Sequence, residues 1–334
     1  MRILAFESSC DETAVAVVEN GRKILSDKIA SQIELHRRFG GVVPEVASRA
    51  HTEAIVPLTR QALEEAGCTL GDMDAIAVTH TPGLLGALLV AVGFAKSLAY
   101  STGKPLVGVN HIHAHVAACY LAYPALKPPF LALVISGGHT AMYQVDDYTT
   151  FTRIGTTRDD AAGEAFDKIG RVLGVPYPGG KVLDEMAKSG KKGTYAFPQP
   201  LVKDSKMDFS FSGLKTAVIN RLHNDEQKGI LPMQEDVAAD LTDVVVSALK
   251  NRVIHALEVY PTKKIVLAGG VSANSHIRKG MQELCSKKNI CLYVPPLSLC
   301  GDNGAMVGAQ GYYDLIAGKK DGIDLNAYAT GEVC

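Results

Sequence analysis

Apolar residues recur along this chain in two spacings, and the order of those spacings repeats. Short apolar runs at 3–6, 13–18 and 24–31 predict three strands joined by hairpins. The polar turn Ser8-Ser9-Cys10-Asp11-Glu12 separates the first two, and Gly21 ends the second. Helical spacing then covers 44–66, opened by Pro44 and followed by Gly67. A strand at 74–78, a helix at 84–100, a strand at 106–109 and a helix at 111–121 complete the first half. The pattern restarts with strands at 130–135, 140–145 and 151–154, the first two joined by Ser136-Gly137-Gly138-His139. Helices at 161–173, 181–188, 213–223 and 233–257 follow, then a strand at 264–268, a helix at 275–287, a strand at 292–294 and a helix at 303–316.

Both halves therefore read βββ-α-β-α-β-α, with extra helices in the second. Hairpin-joined strands followed by helix-joined strands give a mixed sheet with helices on its faces, an α/β class. A single Rossmann-like domain would not open with a three-strand meander. The arrangement resembles the duplicated actin/Hsp70/sugar-kinase (ASKHA) fold of two lobes around a central nucleotide cleft. That likeness implies an N-terminal lobe over 1–125 and a C-terminal lobe over 126–302. It also implies that the last helix, about 303–334, packs back on the first lobe.

Composition narrows the function. A net charge of −1 and aromatics at 6% without Trp do not make a basic, stacking nucleic-acid scaffold. RNA contact would need local basic patches (Arg37-Arg38, Lys188 with Lys191-Lys192, Lys203 with Lys206, Arg278-Lys279) or a partner. Seven scattered cysteines without a CxxC speak against a zinc ribbon or a disulfide framework and point to a reduced, cytoplasmic setting. The apolar stretch 83–95 reads as too short to span a bilayer, so no membrane is expected.

His111-Ile112-His113-Ala114-His115 opens a helix, so His111 and His115 share one face and suit one divalent metal. His113 points elsewhere. Ile112 stands where a zincin protease needs its Glu, which removes the metalloprotease reading. Asp302 is the candidate third ligand, although an Asp before a helix reads equally as its N-cap. Two His and one carboxylate suit Fe(2+) or Zn(2+). The Ser136-Gly137-Gly138 amides suit a phosphate or carboxylate, with His139 beside them. Asp11 and Glu12 in the equivalent first turn are candidates for a base, Glu12 before Asp11. Asp167 and Asp184, flanking the Gly179-Gly180 turn, and Asn274, after Gly269-Gly270 at a strand–helix turn, are candidates for nucleotide contact.

Taken with Glu7-Ser8-Ser9-Cys10-Asp11-Glu12-Thr13, Gly40-Gly41-Val42-Val43-Pro44-Glu45, Tyr177-Pro178-Gly179-Gly180 and Phe209-Ser210-Phe211-Ser212-Gly213-Leu214-Lys215-Thr216, these motifs resemble the TsaD family. These are the tRNA adenosine threonylcarbamoyltransferases, once described as glycoproteases, and the glycine turn is similar to their bacterial branch. The resemblance implies transfer of the threonylcarbamoyl group of threonylcarbamoyl-adenylate to N6 of adenosine 37 in tRNAs reading ANN codons, with release of AMP. It implies one divalent metal on His111, His115 and Asp302. Substrate contact carries over to Val134, Ile135, Ser136, Gly137, Gly138, Asp167, Gly180, Asp184 and Asn274, with ATP, ADP or AMP as further occupants. A TsaB-like paralogue and a TsaE-like ATPase are the implied partners, with helices around 47–63 as the expected interface. The competing expectations are an ASKHA-fold kinase or ATPase and a nucleotide-binding scaffold.

Overall fold

The computed structural model describes residues 1–330, so the last four positions of the expected 303–334 helix lie outside the described residues. The described chain forms two compact units: 1–128 with 147–150 and 295–330, and 129–146 with 151–294. Each unit is built on one five-stranded mixed sheet.

In the first unit the strands are β1 (Arg2–Glu7), β2 (Glu12–Glu19), β3 (Lys23–Ser31), β4 (Ala75–Thr81) and β5 (Leu106–Asn110), ordered β3-β2-β1-β4-β5. The hairpin pairs β1–β2 and β2–β3 are antiparallel, and β1–β4 and β4–β5 are parallel. β1 and β4 read as near-continuous apolar runs because helices cover both faces of the sheet, and β4 is buried along its whole length. The helices are α1 (Ile33–Arg37), α2 (Pro44–Glu65), α3 (Leu85–Thr102) and α4 (His111–Ala122), joined late in the chain by α10 (Gly304–Ile316). α1 was not expected: five residues are too few to show a helical period.

The second unit repeats the plan. Its strands β6 (Phe130–Ile135), β7 (Thr140–Val145), β8 (Phe151–Thr156), β9 (Lys264–Ala268) and β10 (Cys291–Tyr293) are ordered β8-β7-β6-β9-β10, the same topology as the first sheet. Its helices are α5 (Ala162–Val172), α6 (Gly179–Ser189), α7 (Ser212–Gln227), α8 (Gln234–Val259) and α9 (Ser275–Lys287). The duplicated α/β fold read from the hydrophobic pattern is the fold observed.

α10 packs on α4, β1 and β2. Glycine makes this approach possible: a Cβ on Gly304 would sit 2.7 Å from Ala16 N, and one on Gly311 would sit 2.6 Å from Ala77 Cβ. The helix ends at Ile316, and residues after it run as a tail along β4 and β5, where Asp321 Oδ2 accepts from Gly108 N and Asn326 O from His80 Nδ1.

α3 corrects one expectation. At 18 residues it is long and apolar enough to cross a membrane by length and composition. Here it lays Ala87, Leu88, Ala91, Val92, Ala95 and Ala99 against the first unit's core, where Phe94 meets Phe6 edge to face.

Candidate functional site

The end of β1, the turn after it, the start of α4 and the residues before α10 meet within the first unit. α4 begins at His111 because Asn110 caps it, its side chain accepting from Ile112 N and His113 N. One helical turn then places the His111 and His115 rings 4.6 Å apart. Asn303, not Asp302, caps α10 by accepting from Met306 N. That leaves the Asp302 carboxylate turned toward the two imidazoles, with Oδ1 3.6 Å from His111 Nε2 and 3.2 Å from His115 Nε2. All three donor atoms lie within 4.8 Å of one another.

These residues fit a metal ion on two counts. Donors about 2.1 Å from a tetrahedral ion stand about 3.4 Å apart, close to the two carboxylate–imidazole separations. His115 is buried, and neither of its ring nitrogens makes a hydrogen bond. The 3.2 Å contact with Asp302 is off the hydrogen-bonding direction. A buried polar atom without a partner is costly, and a cation on Nε2 supplies one.

His111 is held from behind. Its Nδ1 lies 3.1 Å from Glu7 Oε2 and 3.2 Å from Ser9 Oγ. Glu7 is fixed in turn by Thr79 Oγ1 donating to Oε2 at 2.6 Å and by Ser9 N donating to Oε1 at 2.5 Å. An Nδ1–H donated to Glu7 leaves the Nε2 lone pair facing Asp302, the arrangement that orients a metal-binding histidine. Burial opposes charge on the imidazole, but the carboxylates of Glu7 and Asp302 outweigh it and push His111 up to about 9. Burial likewise opposes the Glu7 carboxylate, and His111 outweighs it, drawing Glu7 below its ordinary value. Glu7 had no role in the sequence expectations. The signal was there: it is the one acidic residue in the otherwise apolar β1 run after Arg2.

Asp11 and Glu12 lie between β1 and β2. Burial first, then the charges of Asp302 and Asp11, push the Glu12 carboxyl up to about 9, opposed by a hydrogen bond from Ser31 Oγ. His113 falls on the other side of α4, where burial and then Lys319 push it down to about 3.

In the second unit, Val134 and Ile135 end the buried strand β6, and Val134 pairs with Ala268 of β9. The following turn closes on itself: Ser136 N donates to His139 O, and His139 N donates to Ser136 Oγ. The exposed Gly137 and Gly138 stay outside those bonds. α5 and the β9 end crowd the turn. A Cβ on Gly163 would lie 2.5 Å from Ser136 O, and one on Gly269, at φ +88°, 2.4 Å from Ile135 O. Asp167 accepts from Gly179 N at 2.7 Å and Gly180 N at 3.3 Å, holding the start of α6. Asp184, one turn into α6, accepts from Ser275 N, Ser275 Oγ and His276 Nδ1. Asn274 caps α9 through His276 N and Ile277 N. Each of these three polar residues therefore has a structural bond of its own, and Ser275 and His276 are neighbours the sequence did not single out.

The suggested basic patches are partly neutralised. Arg37 pairs with Glu34, Lys188 with Glu185 and Lys192 with Asp243. Such exposed pairs contribute little to stability, but they lower the local positive charge.

The sequence model of a family described as "TsaD: tRNA N6-adenosine threonylcarbamoyltransferase" matches residues 23–309. A tRNA N6-adenosine threonylcarbamoyltransferase of Clostridium botulinum (strain 657 / Type Ba4) is 51% identical over 327 residues, 98% of this chain and 96% of the relative. Among solved structures, component A of the (R)-2-hydroxyglutaryl-CoA dehydratase of Acidaminococcus fermentans matches with a TM-score of 0.56 at 14% identity, over 95% of this chain and 99% of that one. The ROK hexokinase of Thermus thermophilus matches with a TM-score of 0.51 at 15% identity, over 95% of this chain and 100% of that one. These two likenesses show the fold alone and carry no kinase assignment.

Proposed function

The chain belongs to the tRNA N6-adenosine threonylcarbamoyltransferase family, and from that premise we propose which of its residues carry the reaction. The enzyme transfers the threonylcarbamoyl group of threonylcarbamoyl-adenylate to N6 of adenosine 37 in tRNAs reading ANN codons. N6 forms a bond to the carbamoyl carbon, the carbon–oxygen bond to the phosphate breaks, and AMP leaves with that electron pair. One N6 proton must go to a base.

The observation that carries the assignment of roles is the cluster of His111, His115 and Asp302 with Glu7 behind it. These three residues would hold one divalent ion, Fe(2+) or Zn(2+), and the chemistry it would supply is Lewis-acid polarisation of the carbamoyl group. Glu7 keeps His111 in the tautomer that presents Nε2. Glu12 and Asp11 handle the proton. With its value at about 9, Glu12 holds a proton at neutral pH and becomes a base only as the negative charge around it is neutralised. In the second unit, the Gly137 and Gly138 amides take the phosphate or the carboxylate, with Val134, Ile135 and Ser136 shaping the turn and His139 beside it. Asp167, Gly180, Asp184 and Asn274 are assigned to the adenylate nucleoside, and AMP, ADP or ATP are further occupants of the same groups.

A TsaB-like paralogue and a TsaE-like ATPase are the proposed partners, in a cytoplasmic setting. The exposed Val56 of α2, within the 47–63 segment, and the exposed Leu85 and Leu89 of α3, which packs on α2, are the apolar side chains on which a paralogue's helices would dock. The test supplies threonylcarbamoyl-adenylate, unmodified tRNA and both partners, and quantifies modified adenosine in the digested RNA. His111→Ala is expected to remove bound metal and product together. Undiminished product with His111→Ala would sink the metal's role.

A further inference from the structure

A buried polar network runs from the first catalytic turn to a motif that the proposed chemistry leaves unused. His51, on α2, is fully buried. Its Nε2 lies 3.0 Å from the carbonyl oxygen of Cys10, and its Nδ1 lies 2.7 Å from Thr13 Oγ1. A carbonyl only accepts, so Nε2 carries the ring proton. Nδ1 then accepts, and the Thr13 hydroxyl donates to it. The ring is thus neutral, and burial, which draws His51 below its ordinary value, acts in the same direction.

The next links obey the same logic. Gln32 N donates to Asp11 O at 2.9 Å, and Gln32 Oε1 accepts from His36 Nε2 at 3.1 Å. His36 Nδ1 accepts from Val43 N at 3.3 Å, which ties in the Gly40-Gly41-Val42-Val43 segment. His36 is also fully buried. Each histidine has one donating and one accepting nitrogen, so the network is satisfied by two neutral rings.

We propose that His51 is a positioning residue for the transfer reaction: it grips the chain on both sides of Asp11-Glu12, at the Cys10 carbonyl before the pair and at the Thr13 side chain after it. Asp11 sits between those anchors on the turn, and Glu12 sits at the first position of β2, opposite Ser31 at the end of β3. This inference rests on the assignment of Asp11 and Glu12 to proton transfer. A displacement of about 1 Å at reacting groups costs on the order of 100-fold in rate, so a small change far from the chemistry is sufficient to be seen.

The test uses the full-length enzyme with its partners and measures single-turnover rate, KM for threonylcarbamoyl-adenylate and bound metal. His51→Phe fills the space without either hydrogen bond. It is expected to lower the rate by about 10- to 100-fold, with KM and metal content unchanged. His51→Gln offers an amide N–H and an oxygen in roughly the places of Nε2 and Nδ1 and is expected to restore most of the rate. Thr13→Val removes one hydroxyl and is expected to lower the rate several-fold. A wild-type rate in folded His51→Phe, or a His51→Gln no better than His51→Phe, overturns the inference. Should His51→Phe not fold, an unchanged rate in Thr13→Val overturns it. Asp11→Asn and Glu12→Gln at wild-type rates would instead overturn the assignment of the acidic pair.

Discussion

The substitution Glu7→Gln removes one negative charge 3.1 Å from His111 Nδ1 and keeps the side chain's size. In the metal-free protein, Glu7 is the larger of the two charges that hold His111 up to about 9. Metal binding needs the neutral imidazole, so below that value a proton competes with the ion. At about pH 7 the competition costs the wild type roughly two pKa units, about 2.7 kcal/mol or ~100-fold in affinity. Through His111 alone the apparent affinity should therefore rise about tenfold per pH unit from neutrality and level off as that proton is lost. Glu7→Gln relieves the competition but also loses the anionic group that orients and enriches the ligand, a loss of about 10- to 100-fold. The two effects nearly cancel near neutrality. At about pH 9 only the loss remains, and the variant should bind about 10- to 100-fold more weakly. Competition with a coloured chelator at several pH values, using Zn(2+) or Co(2+), reads the ratio directly. Parallel pH profiles for the two proteins would refute the reasoning. Stability follows the same pair with a definite sign. His111 has a raised value, so its contribution to the metal-free fold is complete below about 6.5 and is lost as pH rises through about 9.

Three further outcomes follow from contacts elsewhere. Gly304→Ala puts a Cβ 2.7 Å from Ala16 N, so it should destabilise the protein by about 1–3 kcal/mol. It should also weaken metal binding, because Asp302 lies two residues before the helix that must move; thermal melts with and without metal check both. Asp184→Ala leaves Ser275 and His276 without their shared acceptor. It should raise KM for the adenylate while metal content stays at one per chain, as read by elemental analysis. Leu89→Arg, on the exposed face of α3, should abolish co-elution with a TsaB-like paralogue and leave metal binding intact.

The fold was legible because each half carries its own periodicities. Buried central strands such as β4 give unbroken apolar runs, and the hairpin turns are marked by polar or glycine residues. α1 escaped because its order comes from the buried His36, not from a period. At the site, the i,i+4 histidines announce themselves through helix geometry alone. Asp302 was ambiguous, since an N-cap and a ligand look alike in sequence, and the Asn303 cap resolved it. Glu7 and His51 were silent for a different reason. Glu7 meets His111 across 104 residues of chain, and His51 meets Cys10 across 41. No local pattern encodes such pairings; they exist only once the sheet and helices are packed.

The equivalent hairpin turns of the two units have opposite electrostatics. The second, Ser136 to His139, has no carboxylate and offers free glycine amides, which suits an anion. Around the first gather Glu7, Asp11, Glu12 and Asp302, with His111 and His115 beside them. The protein answers that excess negative charge with protons: His111, at about 9, takes one, and Glu12, at about 9, keeps one. Both shifts include the charge of Asp302 among their causes. A divalent cation bound by Asp302 supplies the same two positive charges, so the two protons and the metal are alternatives for one electrostatic need. Metal binding near neutral pH should then release between one and two protons, measurable as a buffer-dependent heat in titration calorimetry. A heat independent of the buffer's ionisation enthalpy would mean that neither group responds to the ion. Release of more than one proton by the wild type, falling by the excess in Glu12→Gln, would identify Glu12 as the second donor, and so as the carboxylate that a bound metal would convert from an acid into a base.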